Sequence, residues 1–203
     1  GTNSIPIPEG KAYLVNLLDE ELVKKDIEKA RTMADFVAIC VHFGDEYQTL
    51  PNESQKQWVD KMFQWGADLI FGSHPHVLQP YEQRRIEREG ETREGLVIYS
   101  LGNFISNQRD EPRDIGGILD VILAKKGREK SINSVDFIPT YVHRYRDSKG
   151  LNFLVLPMEE LLTVRDYPFL DEEDYRRLNQ RYLKTLDHVV GASAKKKNHN
   201  NEE

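Results

Sequence analysis

The feature that most restricts the fold of this chain is a pair of short, largely apolar runs, at 36–41 and 68–72, each of which follows a helix pattern. A continuous run of five or six such residues is typical of a strand buried on both faces. Two such strands that are each reached through a helix pair in parallel. We therefore predict an α-β-α-β order over 19–72, with the two strands side by side in one sheet.

Capping and charge signals set the limits of the two helices. Glu20 and Glu21 suit the positive end of a helix dipole, so the first helix is predicted to begin near Asp19. The second is predicted to begin at 51–53 and to end at Gly66, because glycine readily adopts the left-handed conformation that follows many helices. Each helix therefore leads directly into an apolar run.

The rest of the chain has a different pattern, with longer and more polar strand segments separated by turns. A hairpin turn is predicted at 89–91 and a final amphipathic helix at about 171–190. The predicted strands of this half are 78–88, 95–101, 116–125, 131–146 and 151–157. The fold class is therefore α/β, with α+β character in the second half. Residues 1–192 form one domain, or the larger part of one, in this prediction, and the polar residues 193–203 form a disordered tail.

The composition argues against nucleic acid as a partner. The chain has 28 Lys and Arg against 34 Asp and Glu, a formal net charge of -6 at pH 7, so it has no basic excess for a phosphate backbone. Neither a membrane span nor a signal peptide is expected within these 203 residues. The single cysteine, Cys40, excludes an internal disulfide and, because it lies in the first apolar run, is predicted to be buried.

Histidines follow both predicted strands at the point where each strand ends. His42 comes directly after the first run, and Ser73-His74-Pro75-His76 follows the second. In an extended backbone His74 and His76 point to the same side, and open α/β sheets place ligands at the carboxyl ends of their strands. A lone histidine after a strand is more often a loop or capping residue, but three convergent imidazoles suit a transition metal. The sequence therefore predicts a metal site formed by His42, His74 and His76.

Three further segments offer polar groups to this site, each with a plainer alternative. Glu46 could orient an imidazole or donate a proton, or be a solvated loop carboxylate. Asn103 follows the 95–101 strand and could donate a hydrogen bond to an anionic ligand, or simply form a turn. Arg109 and Arg113 could pair with the carboxylates of an acidic polymer, or belong to a flexible surface loop.

Three motifs in this order resemble the CapA family of poly-γ-glutamate capsule-synthesis proteins. They are Val41-His42-Phe43-Gly44 with Glu46-Tyr47, then residues 66–77 ending in Gly72-Ser73-His74-Pro75-His76-Val77, then Tyr99-Ser100-Leu101-Gly102-Asn103-Phe104. The resemblance extends over roughly residues 1–125. The family is similar in turn to calcineurin-like metallophosphoesterases: His42 matches their lone histidine after a strand, and His74 and His76 match their Gly-His-x-His element, with Ser73 inserted after the glycine.

The resemblance implies a metallophosphatase-like α/β/β/α sandwich with a dinuclear metal site. Early motifs of that superfamily supply an Asp, a bridging Asp and an Asn followed by His or Glu, and none of these is recognised before His42. The resemblance therefore assigns residues 1–192 to the C-terminal portion of the family domain. It implies a divalent metal, Mn, Zn or Fe, at His42, His74 and His76, in a ligand set that is incomplete in this chain.

The function implied by the resemblance is capsule or poly-γ-glutamate biosynthesis, with a metal-dependent hydrolase site of the phosphoesterase type. His42, Glu46 and Asn103 are its expected catalytic residues, although fold analogy alone is a weak guide to a reaction. Two alternatives remain open: a non-catalytic binder of an anionic surface polymer, and a structural module with a vestigial metal site.

The resemblance also implies partners and a location. The expected partners are an anionic polymer such as poly-γ-glutamate or a phosphate-containing substrate. A missing N-terminal half or self-association is expected as well, since part of a sandwich exposes edge strands and apolar faces. The family implies a location at the cell surface, on the outer face of the cytoplasmic membrane.

Overall fold

The structure, a computed structural model, describes residues 5–88 and 90–199, with side chains described as far as residue 191. A short 3-10 helix at Ala12–Leu14 precedes the main elements. The α-helices in these residues are α1 Glu20–Met33, α2 Glu53–Trp65, α3 Met158–Val164 and α4 Glu172–His199. The strands in the same residues are β1 Ala38–His42, β2 Leu69–Ser73, β3 Leu78–Arg88, β4 Glu91–Leu101, β5 Ile115–Lys126, β6 Glu129–Asp147 and β7 Gly150–Pro157.

The strands form two sheets. The first has the order β1-β2-β4-β3, in which β1, β2 and β4 are parallel neighbours and β3 returns antiparallel to β4. The second is the antiparallel sheet β5-β6-β7. The predicted parallel pair and the β3–β4 hairpin are confirmed, and so is the α/β class with an antiparallel second half. The sequence pattern did not predict α3.

Local signals explain where α1 and α2 begin and end. The side chain of Asp19 accepts a hydrogen bond from the backbone N–H of Leu22 at 3.0 Å, which caps α1. At α2, Asn52 and Gln55 exchange side-chain and backbone hydrogen bonds in a capping box. Gly66 ends α2 with φ 121°, a conformation that costs glycine little. Both predicted helix starts are therefore confirmed.

One face of the first sheet packs against α1 and α2. The buried residues of this core are Ile27, Val37, Val41, Phe43, Val59, Met62, Phe63, Ala67, Ile70, Ile86, Val97 and Tyr99. At the amino end of β2, the buried carboxylate of Asp68 accepts hydrogen bonds from Arg31 (2.6 Å), Arg93 (2.9 Å) and the backbone N–H of Val37 (2.8 Å). This network fixes α1 and β4 at the end of the sheet opposite the histidines.

The other face of the first sheet packs against the second sheet and the C-terminal helices. Its buried residues are Leu69, Leu78, Tyr81, Leu96, Ile98, Ile115, Leu156, Met158, Leu161, Leu178 and Val189. The helix α4 contacts β3 and β6, one strand from each sheet. The resulting order is a helical layer, the first sheet, then the second sheet with α4 packed against both.

The prediction that the first apolar run is buried on both faces is wrong, and with it the prediction for Cys40. Among the described residues, β1 pairs with β2 only, so it is an edge strand, and Val41 is its one buried residue. Cys40 is exposed. By contrast β2 lies between two strands and is largely buried, as predicted. Composition distinguishes a strand from a loop, but it does not show whether a neighbour covers the strand.

The helix α4 is described as far as His199, beyond the predicted helix end at residue 190. The disorder predicted for 193–203 stays a prediction, because residues 200–203 and the side chains of 192–199 lie outside the described part of the chain.

Candidate metal centre

The carboxyl ends of β1 and β2 lie side by side, and they bring the predicted histidines together. The register places His42 opposite Ser73, and the backbone N–H of Phe43 donates to the Ser73 carbonyl at 3.1 Å. The ring centroids of His42 and His74 are 4.6 Å apart, and those of His74 and His76 are 6.1 Å apart. The expected meeting of the two strand ends is therefore present in the structure.

Three side chains at this edge converge closely enough to hold one cation. Glu46, His74 and His76 each offer a donor atom, and these atoms lie within 4.8 Å of one another. The sequence pattern gave Glu46 an orienting or proton-donating role and gave the third ligand position to His42. In the structure His42 lies against the ring of His74, outside this group of three. Its role as a ligand stays a prediction.

The donor set fits a divalent transition metal. The Nδ1 atom of His74 is buried and has no hydrogen-bond partner, and a buried polar atom in that state calls for an explanation such as a bound ion. Two neutral imidazoles with one carboxylate suit Zn, Mn or Fe. The carboxylate of Glu46 is exposed and the two histidines are half-buried, so a cation could reach the site from solvent.

The third histidine, His76, is held by Asn103. Nδ1 of His76 lies 2.9 Å from Oδ1 of Asn103. The two N–H groups of the Asn103 amide are shared among three acceptors, the carbonyls of His76 (3.2 Å) and Arg113 (2.8 Å) and Oε1 of Gln108 (3.1 Å). Both ends of the Asn103 amide are therefore used within the protein, and its role as a donor to an anionic ligand stays a prediction.

The backbone at the site is strained. Among the described residues φ is positive at four non-glycine positions, and three of them are Tyr47 (66°), His74 (101°) and His76 (60°). The backbone N–H of Tyr47 donates to the Pro75 carbonyl at 2.7 Å, which joins the two loops. Such conformations cost about 1–3 kcal/mol each and cluster at functional sites. The left-handed turn at Tyr47 and the bond to Pro75 help to place the neighbouring Glu46 beside the histidines.

An aromatic and a cationic side chain form the rim of the site. The ring of Tyr47 is 6.1 Å from that of His76, and the guanidinium carbon of Arg113 lies 4.9 Å from the Tyr47 ring centroid. Arg113 also pairs with Asp110. Arg109 is exposed in the same loop. Of the two arginines singled out in the sequence, Arg113 is therefore the one that stacks against the site.

The electrostatics of the edge favour neutral imidazole at His42. Partial desolvation of the otherwise exposed ring lowers the pKa of His42, and the neighbouring rings of His74 and His76 lower it further. Its Nδ1 lies 3.2 Å from Oγ of Ser73, whose hydroxyl is 3.2 Å from the Val41 carbonyl. Since the hydroxyl donates to that carbonyl, its oxygen accepts from Nδ1–H, which leaves the Nε2 lone pair of His42 free.

Comparison with known sequences assigns the part of the chain that contains these site residues to a family. The sequence profile described as "Bacterial capsule synthesis protein PGA_cap" matches residues 2–108, which include Glu46, Asn103 and the three histidines. The chain belongs to this family. The PGA_cap match ends before Arg113, so the rim is only partly inside it.

Two curated relatives match the chain over a shorter stretch. The PGA biosynthesis protein CapA of Bacillus subtilis (strain 168) is 42% identical over 91 residues, which is 44% of this chain and 22% of that protein. The capsule biosynthesis protein CapA of Bacillus anthracis is 35% identical over 95 residues, 45% of this chain and 21% of that protein. The matched part of the chain therefore spans about a fifth of the length of each relative.

In the described part of the chain, no helix has both the length and the apolar character that a membrane crossing requires.

Proposed function

We propose that this PGA_cap protein serves capsule or poly-γ-glutamate biosynthesis at the cell surface, as a metal-dependent hydrolase of the phosphoesterase type. The proposed ligands are Glu46, His74 and His76, with His42 beside them. The observation that carries the proposal is the convergence of the three donor atoms within 4.8 Å, together with the unpartnered, buried Nδ1 of His74. The names of the relatives, which refer to PGA and capsule biosynthesis, support the biological role.

A divalent ion bound here would supply a Lewis acid for attack on a phosphoryl or acyl centre. The residues of the chain prepare the surroundings of that attack. The free Nε2 of His42 is able to accept a proton, because its lowered pKa keeps the ring neutral near pH 7. Asn103 holds His76 in place, and the strained turns at Tyr47 and His74 keep the loops in one arrangement.

The rim supports an anionic substrate. The guanidinium group of Arg113 is planar and always charged, so it pairs well with carboxylates and phosphates, and its stacking on Tyr47 holds it beside His76. A carboxylate of the substrate would replace Asp110, whose side chain is 79% exposed and holds Arg113 only weakly. This arrangement suits an acidic polymer such as poly-γ-glutamate, or a phosphate ester.

The same rim favours a second candidate function, binding of the anionic polymer without turnover. In that case Arg113 would carry the affinity and the histidines would be dispensable. Binding of poly-γ-glutamate that weakens with salt, survives His74→Ala/His76→Ala and is lost in Arg113→Ala would support this candidate. Arg109→Ala, in the same loop, is the matched control.

The edge strand β1 supports an expectation about partners. In the described part of the chain the outer edge of β1 has no strand partner, and such an edge, here with exposed Ala38 and Cys40, is a surface on which another strand can pair. We therefore propose that this edge is covered in the working protein, either by a further segment of a longer protein or by a second copy. Sedimentation of the chain at increasing concentration tests for the second copy, and a monomer at every concentration counts against it.

The deciding experiment is elemental analysis of the chain purified without chelator, beside the His74→Ala/His76→Ala variant. His143→Gln is the control, since it removes an imidazole from the second sheet. We expect near-stoichiometric Zn, Mn or Fe in the parent and the control, and none in the double variant. Hydrolysis of a simple phosphate ester should follow the metal content. A parent chain that binds no added divalent metal would overturn the proposal, and absence of polymer binding as well would favour a vestigial site.

A further inference from the structure

We infer that Asn103 is a positioning residue that fixes the tautomer of His76 and anchors the 106–113 loop beside it. The consequence for metal binding rests on the proposed function, but the tautomer itself is a property of the metal-free chain. Asn103 is buried, with 8% of its surface exposed. Its hydrogen bonds therefore form away from water, where they are strong and where a mismatched partner is costly.

The contacts of Asn103 decide which way its amide faces. The nitrogen lies near three oxygens, the carbonyls of His76 and Arg113 and Oε1 of Gln108, at 2.8–3.2 Å. Two of these are backbone carbonyls, which can only accept hydrogen bonds. A flipped amide would place its own oxygen against them. The nitrogen must therefore face the three oxygens, and Oδ1 must face the imidazole of His76.

This orientation dictates where the proton of His76 lies. Oδ1 of Asn103 is an acceptor, so the nitrogen 2.9 Å away, Nδ1 of His76, must carry the hydrogen. A neutral imidazole has one N–H, which leaves the lone pair on Nε2. Nε2 is then the nitrogen that His76 offers to the cluster with Glu46 and His74. Partners of this kind commonly set the tautomer and ring orientation of metal-binding histidines.

The backbone around Asn103 makes it a rigid support. Gly116, at the start of β5, lies so close that an added Cβ would be 2.3 Å from the Asn103 carbonyl oxygen. Gly102, the residue before Asn103, forms an isolated bridge with the same glycine. Asn103 is therefore clamped between the end of β4 and the start of β5, and its side chain joins both to the loop that contains His76.

The two roles of Asn103 can be separated by substitution. Asn103→Leu keeps the size of the side chain but removes every hydrogen bond. Asn103→Asp keeps an acceptor for Nδ1–H of His76, but it loses the donors to Gln108 and to the carbonyls of His76 and Arg113 and places an oxygen against them. Gln108→Ala is the matched control, because it removes one acceptor of the amide and leaves the contact with His76 intact.

The test is a long-range proton–nitrogen correlation spectrum of the uniformly 15N-labelled, metal-free chain at about pH 8, where imidazoles are neutral. The His76 signals are assigned by their loss in His76→Gln. We expect the Nδ1–H tautomer at His76 in the parent, in Gln108→Ala and in Asn103→Asp, and a mixture or the Nε2–H form in Asn103→Leu. The loop should become more sensitive to protease in Asn103→Asp.

An Nε2–H tautomer in the parent chain would overturn the inference, as would an unchanged Nδ1–H signal in Asn103→Leu. If Asn103→Leu fails to fold, loss of the Nδ1–H form in Asn103→Asp is the overturning result. The metal affinity of Asn103→Leu should fall about 10–100-fold. A parent with the Nδ1–H tautomer that binds no metal contradicts the proposed function alone. Equal metal affinity in parent and Asn103→Leu contradicts only the functional consequence of this inference.

Discussion

The loops at the carboxyl edge of the first sheet and the hairpin turns of the second sheet differ in which residues take a positive φ. The β5–β6 and β6–β7 turns place glycine where φ is positive, at Gly127 (63°) and Gly150 (129°). At the carboxyl edge of the first sheet glycine also takes positive φ, at Gly44 (95°) and Gly102 (66°), but so do three non-glycine residues, Tyr47, His74 and His76. The turns are relaxed, whereas the site holds L side chains in a conformation that glycine would adopt more easily.

At the histidine edge, keeping an imidazole therefore matters more than the local stability that glycine would give. Glycine at His74 or His76 would relieve strain of about 1–3 kcal/mol but would remove an imidazole. Strain of this kind persists only when the surroundings enforce it, and here the bond from Tyr47 to the Pro75 carbonyl and the contact of Asn103 with His76 do so. The two regions can therefore be compared by substitutions that exchange glycine with other residues.

The largest expected effect is the destabilisation caused by Gly72→Ala. A Cβ at Gly72 would lie 2.0 Å from the backbone oxygen of Tyr99 in the neighbouring strand, so β2 and β4 would have to separate. We expect a loss of about 3 kcal/mol or more in the free energy of unfolding, measured by urea denaturation. In the control, Gly127→Ala, no atom lies within 4 Å of the new Cβ, and the loss should be about 1 kcal/mol, from the positive φ alone. Equal losses would mean that β2 and β4 pack no more tightly around Gly72 than the turn packs around Gly127.

The next largest effect is expected at His74, where a glycine variant should be more stable than an alanine variant. Both His74→Ala and His74→Gly remove the imidazole, but only glycine accepts φ 101° without strain. His74→Gly should therefore be more stable than His74→Ala by about 1–2 kcal/mol in urea denaturation of the metal-free chain. At His42, which lies in β1, the order should reverse, with the glycine variant less stable by about 0.5–1 kcal/mol. The same order at both positions would argue that His74 is not strained.

The smallest expected effect is a pH dependence contributed by the second sheet. Burial lowers the pKa of His143 below its ordinary value of 6.5, and its ring stacks on Phe169 with centroids 4.1 Å apart. The unfolded chain therefore takes up a proton at His143 at a higher pH than the folded chain does. The stability from this residue is complete above about pH 6.5 and falls as the pH is lowered toward the folded pKa.

The measurement for His143 is the free energy of unfolding between about pH 5 and pH 8 in the parent and in His143→Phe, which keeps an aromatic ring on Phe169. The loss on acidification should be smaller in the variant, because the carboxylates contribute equally to both. Parallel curves would show that His143 is as well solvated in the folded chain as in the unfolded one.

Much of the first half could be predicted because its signals are local. Helix caps at Asp19 and Asn52, the glycine after α2 and the apolar run of β2 each depend on neighbours in sequence. The placement of His42 beside the His-Pro-His element followed from the parallel pairing alone, since that pairing brings the carboxyl ends of both strands to one edge.

What could not be predicted depends on contacts between residues far apart in the chain. Cys40 is exposed because, in the described part of the chain, the second sheet does not extend over its face of the edge strand β1, and neither strand order nor layer packing is visible in the composition of a strand. β4 was expected in a hairpin but also pairs in parallel with β2, which places Asn103 at the histidine edge.

By itself the sequence determined the element order apart from α3, the family and the meeting of the three histidines at one edge of the sheet, because periodicity, capping and motif spacing act over short distances. Only the tertiary structure decided that Glu46 converges with His74 and His76 and that the Asn103 amide is used inside the protein. Those outcomes depend on φ at Tyr47, His74 and His76, where contacts between residues far apart in the chain, such as the bond from Tyr47 to the Pro75 carbonyl, hold the backbone.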